Sequence, residues 1–109
     1  MLIDLKQLKT LFQELKKILE KEEDNETLYI INQLEISLRL IDECLNFTNK
    51  NRDLKQVFNT VKEIYTKINR PRVGLSDYFI WRENYEERVK ANVPLDRIKD
   101  NLSLIFRKY

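Results

Sequence analysis

Carboxylates are the most plentiful reactive groups in this 109-residue chain, which carries 18 Asp and Glu. Two pairs, Glu22 with Glu26 and Glu83 with Glu87, stand four residues apart, the spacing that sets both side chains on one face of a helix. Such a pair could share a proton or hold a metal, yet the companions that either chemistry needs are missing. There is no His at all, so the commonest general base and imidazole ligand are absent, and one cysteine cannot build a zinc site. A di-iron bundle centre takes a Glu-x-x-His pair, which this chain does not contain. A single glycine excludes a phosphate-cradling loop. The sequence therefore predicts a non-enzyme with no catalytic residue, no metal and no cofactor. Cys44 reads as a small core residue rather than a nucleophile.

Chemistry of another kind is concentrated between Asn69 and Pro94. This stretch holds both prolines, the glycine, the tryptophan and the alanine of the whole chain. Trp, Tyr and Arg most often carry binding energy at protein interfaces, and Tyr78, Trp81, Arg82, Tyr85 and Arg88 supply all three types within eleven positions. These five are the candidate partner-binding residues. Their spacing predicts a helix capped by Ser76 or Asp77 and running to Asn92, with Tyr78 and Tyr85 on one face and Arg82 between them. Four consecutive large residues, Tyr78 to Trp81, also fit an extended strand. Equally, Trp81 and Phe79 could plug the end of a bundle.

The remaining chain must form the scaffold that positions this segment. Leu2, Leu5, Leu8, Leu11, Phe12, Leu15, Ile18 and Leu19 trace one face of a first helix, which gives way to a charged turn from Glu20 to Glu26 where Asp24 or Asn25 can cap the next helix. A second helix is expected from about Thr27 to Phe47. It carries one seam of Leu28, Ile31, Leu34, Leu38, Ile41 and Leu45 and a second apolar set of Ile30, Ile36, Leu40, Cys44 and Phe47, which predicts the most buried element. Asn51 or Asp53 can cap a third helix through Leu54, Val57, Phe58, Val61, Ile64, Tyr65 and Ile68. Pro71 ends it, and Arg72, Val73 and Gly74 offer a flexible turn. Pro94 suits the first position of a last helix lined by Leu95, Ile98, Leu102, Ile105 and Phe106. Short connections predict an all-α, up-and-down antiparallel bundle of four to five helices, forming a single domain over residues 1–109.

Charge is uneven along the chain. Residues 1–47 carry 6 basic and 10 acidic side chains and residues 48–109 carry 14 and 8, so the halves stand near −4 and +6. Folding a bundle brings the halves together and can cancel this asymmetry. Nucleic acid is disfavoured as a partner: Asp77, Glu83, Glu86, Glu87 and Asp96 interleave with the arginines, and the isoelectric point of about 8.6 is below that of a typical phosphate-binding domain. No apolar run approaches the roughly 18 residues of a membrane span, and Asp4 and the lysines interrupt the opening MLIDLKQLKTLF where a secretory core would be continuous. With one unpaired cysteine, these features predict a cytoplasmic protein.

The block GLSDYFIWRENYEERVKANVPLDRIKDNL, the third of the chain after the first three helices, resembles the C-terminal part of small helical proteins of low-GC Gram-positive bacteria, some of them immunity proteins that neutralise a partner toxin. The resemblance implies a protein-binding module, most concretely an immunity-type inhibitor of a cognate bacterial toxin. A small regulatory or DNA-associated helical protein is the alternative.

Overall fold

In the computed structural model, which describes residues 2–46, 54–71 and 74–109, the chain forms an all-α helical bundle. Helix α1 spans Leu2–Glu22 and buries Leu5, Leu8, Leu11, Phe12, Leu15 and Leu19, the stripe that the sequence predicts. It ends at Glu23, whose φ of 52° reverses the chain in the left-handed region usually left to glycine. Asp24 then caps a single 3₁₀ turn, Asn25–Thr27, by accepting the Glu26 N–H at 2.9 Å. Helix α2 follows directly, Leu28–Asn46, and α3 spans Leu54–Ile68. The proposed α3 caps, Asn51 and Asp53, lie outside the described residues, as do Phe47, Arg72 and Val73.

Neighbouring helices run antiparallel. Lys9 pairs with Asp42 at 2.6 Å and Lys16 with Glu35 at 3.4 Å, which sets α1 against α2. The last helix, α4, spans Tyr85–Arg107 and sets its C-terminal half against the N-terminal half of α1, with Lys108 on Asp4 at 3.2 Å and Arg97 on Glu14 at 2.9 Å. Ring contacts close the bundle on the remaining side. Phe106 stacks on Tyr65 at 4.5 Å between centroids and tilts against Phe58 at 5.6 Å.

Three expectations about the scaffold are corrected. The most buried helix is α1 rather than α2. In α2 only Ile30, Leu34, Ser37, Ile41 and Cys44 are fully buried, a stripe between the two expected seams, while Leu28 stands in solvent and Leu38 is half-buried. A helix packed between two neighbours buries the residues that point at the groove between them, not two separate faces. Second, Pro94 starts no helix: α4 begins nine residues earlier and runs through it, so the described residues hold four helices and not five. Proline removes the bond to the Lys90 carbonyl, but Lys90 and Pro94 both face water, which can satisfy that oxygen. Burial of Leu95, Ile98, Leu102, Ile105 and Phe106 keeps the helix continuous.

Third, Gly74 does more than permit a turn. Its backbone sits so close to the end of α3 that a Cβ would lie 2.5 Å from the carbonyl oxygens of both Ile68 and Arg70. Its N–H donates to Arg70 O at 2.9 Å, which docks the next segment onto α3. A hydrogen atom at that position is a packing requirement.

Candidate functional site

The expected helix over residues 76–92 does not form as one element. Leu75–Asp77 make a 3₁₀ turn, the chain is extended from Tyr78 to Arg82, and α4 starts only at Tyr85, where Asn84 caps it by accepting the Glu87 N–H at 3.2 Å. Extended backbone alternates its side chains between two sides. Ile80 is buried with Tyr78 and Arg82 partly so, whereas Phe79 and Trp81 are 54% and 60% exposed. Neither ring plugs the bundle. Tyr78 and Tyr85 share no helical face with Arg82 between them, because only Tyr85 lies in a helix.

Three side chains of α4 hold this strip. Asn92 receives the Ile80 N–H on Oδ1 at 2.8 Å and donates from Nδ2 to Ile80 O at 2.8 Å, matching both backbone groups of one residue as a neighbouring strand would. Its second Nδ2 proton goes to Arg88 O at 2.8 Å. Arg88 Nε donates to Arg82 O at 2.9 Å, and Lys99 Nζ donates to Tyr78 O. The carbonyls of residues 78, 80 and 82 are thus bound in turn by residues 99, 92 and 88, which lie on one flank of α4. Burial pushes the Lys99 ammonium below its ordinary pKa.

Arg82 reaches across to α1 and grips Glu22 with both terminal nitrogens, at 2.8 Å and 2.7 Å. This bidentate pair ties the strip to the end of α1 and holds the Glu22 carboxyl below its ordinary pKa. On the solvent side the Arg88 guanidinium lies 3.9 Å over the Trp81 ring, and Phe79 meets Trp81 edge-on at 6.4 Å. Tyr85, 72% exposed, continues the apolar surface along α4 with Val89 and Val93 at successive intervals of four. The Tyr78 hydroxyl ionises less readily than a free phenol, because of burial first and then the nearby charges of Asp24, Glu22 and Glu26.

The structure therefore divides the five candidate residues by role. Trp81 and Tyr85 present aromatic surface to solvent. Arg82 and Arg88 are held by internal contacts and fix the strip in place, and Tyr78 lies half-buried beneath it. Sequence reasoning missed the positioning residues Asn92 and Lys99, and missed Phe79, Val89 and Val93 as exposed apolar surface. No group of residues that could hold a metal ion occurs among the described residues, and no helix among them is long and apolar enough to cross a membrane. No protein family matches the chain, nor does any curated protein or solved structure.

Proposed function

We propose that this chain is a non-catalytic module that binds another protein stoichiometrically through the aromatic strip. In its most concrete form it is a cytoplasmic immunity-type protein that neutralises a cognate bacterial toxin. One observation carries the binding reading: Phe79 and Trp81 project into solvent from a backbone whose carbonyls are anchored by α4, so a large apolar surface is ordered before any partner arrives. Preorganised aromatic anchors reduce the ordering cost of association and are the usual centres of interface energy. The immunity role adds to this the resemblance carried by residues 74–102. For a DNA-associated protein the surface offers little, since Arg82 and Arg97 are already paired with Glu22 and Glu14.

The test is affinity capture from the native cytoplasm with the wild-type chain and with Trp81→Ala, alongside chemical unfolding of both. The expected result is a near one-to-one partner that is lost, or weakened by about 2 kcal/mol or more, in a variant whose stability changes by less than about 1 kcal/mol. Undiminished capture by a well-folded Trp81→Ala would place the contact elsewhere. A captured partner whose toxicity the chain does not relieve on co-expression would remove the immunity role and leave the binding reading intact.

A further inference from the structure

The extended strip has two edges, and α4 occupies one of them. In extended backbone the N–H and C=O of one residue point to the same edge, and those of the next residue point to the other. Asn92 takes both groups of Ile80, while Lys99 and Arg88 take the carbonyls of Tyr78 and Arg82. The residues between them, Phe79 and Trp81, therefore turn their main-chain groups to the opposite edge. There the N–H and C=O of Phe79 and the N–H of Trp81 have no hydrogen-bond partner among the described residues. The Trp81 carbonyl accepts one N–H from Arg82 at 2.8 Å and keeps a second lone pair.

Both residues are more than half exposed, and main-chain groups without a protein partner are satisfied by water, so this edge is open. An open edge is a template for another chain, and proteins usually twist, charge or cover it. Here the edge is short but held extended in advance, and the two residues that offer it also carry the outward rings. A chain laid beside it would exchange main-chain bonds with Phe79 and Trp81 and set its own alternate side chains against their rings. A partner that pressed only on the rings would strip water from the same N–H and C=O groups and return no bond, a cost that main-chain pairing avoids.

We infer that the partner docks as an extended segment, paired through its main chain with Phe79 and Trp81 and carrying apolar side chains at alternate positions to lie beside the two rings. This rests on the protein-binding reading of the aromatic strip and names the form in which the partner binds.

The experiment is an NMR titration of the full chain with acetyl-Thr-Val-Thr-Val-Thr-amide and with the analogue methylated at every main-chain nitrogen, which keeps the side chains but has no main-chain donor. The expected result is a downfield movement of the Phe79 and Trp81 amide protons while that of Ile80, already bound to Asn92, stays in place. The analogue should bind about fivefold more weakly or worse, the loss of one net hydrogen bond or more. Phe79→Ala and Phe79→Pro both lack the ring, and only the second lacks the N–H. Because that N–H has no partner and Tyr78 already has the extended ψ of 134° that suits a residue before proline, both should fold alike, with the proline variant binding the peptide about fivefold less tightly. Equal binding of peptide and analogue, or of peptide to the two variants, overturns the inference. Should the proline variant unfold, the comparison of the two peptides on the native chain decides alone. If the Phe79 and Trp81 ring signals move without the alternating amide pattern, strand pairing is wrong and the aromatic docking surface stands. No movement of rings or amides also overturns the inference, since main-chain pairing asks for no particular side chain, and the reading beneath it falls as well only if Trp81→Ala still captures its partner.

Discussion

The two ends of the α1–α4 pair use the same residue types to opposite effect. At one end Phe58, Tyr65, Phe106 and Tyr109 turn their rings towards one another, and Asp4 is buried under the Tyr109 hydroxyl and the Lys108 ammonium. At the other end Phe79, Trp81 and Tyr85 face water, and the ion pair of Arg82 with Glu22 lies beneath them. Burial thus follows backbone conformation rather than residue type. A helix directs one stripe inward, so rings at helical spacing on α3 and α4 converge, whereas an extended strip laid along a helix must send alternate side chains outward. The lesson is that an aromatic residue becomes core or surface according to the side to which its backbone directs it, since Tyr85 and Phe106 share α4 and only Phe106 is buried.

The comparison is broken most directly by making one substitution at both ends. Phe58→Ala should destabilise by about 3–5 kcal/mol, as for a fully enclosed ring, and Phe79→Ala by less than about 1 kcal/mol. Chemical denaturation of the two variants reads both values, and similar losses would mean that the strip is core after all. Next in size is Asn92→Ala, which leaves the N–H and carbonyl of Ile80 without partners and should cost about 2 kcal/mol. Hydrogen exchange should show the loss of protection confined to the strip, with α3 and the Phe106 end unaffected.

A smaller effect of opposite sign is expected from Pro94→Ala. Restoring the N–H to Lys90 O bond should stabilise the chain by about 1–2 kcal/mol, the gain being reduced because alanine leaves the unfolded chain freer. A loss of stability on thermal unfolding would show that the gain from the restored bond is outweighed by the freer unfolded chain. The gentlest probe is pH. Asp4, through the Tyr109 hydroxyl first and Lys108 after it, and Glu22, through Arg82, both have pKa values lowered in the folded state. Their contribution is complete above the ordinary carboxylate range near pH 4 and is lost as pH falls through the folded values. Stability measured from about pH 6 to pH 3 should therefore decline, and Asp4→Asn or Glu22→Gln should each flatten part of that decline, which assigns it to one end or the other.

Much of the scaffold was legible because amphipathic stripes encode it locally. Leu54 to Ile68 marks α3 at both ends, and Leu5 to Leu19 marks the core face of α1. Over the strip the sequence leaves two readings open, because Tyr78, Trp81, Arg82, Tyr85 and Val89 recur at helical spacing while the run of large residues from Tyr78 to Trp81 also fits extended backbone, which is what forms. What separates the two conformations is a set of side-chain bonds from Arg88, Asn92 and Lys99, up to 21 positions away, and periodicity carries no trace of them. One local signal did point to the right start for α4: Asn84 stands three residues before Glu87, the spacing of a helix cap with an acidic first turn. The candidate residues were thus found as a group, but their division into anchors and exposed rings depended on the tertiary structure.

The position of Trp81 has a practical consequence in optics. It is the sole indole in the chain, and it sits in solvent beneath a guanidinium instead of in the hydrophobic interior. Intrinsic fluorescence excited at the indole band should therefore resemble that of a hydrated fluorophore while the bundle is intact, accessible to acrylamide and only weakly altered by denaturant. Emission that is a poor gauge of folding becomes a good gauge of occupancy, since docking over the strip would dehydrate the chromophore and move its spectrum to the blue without any label.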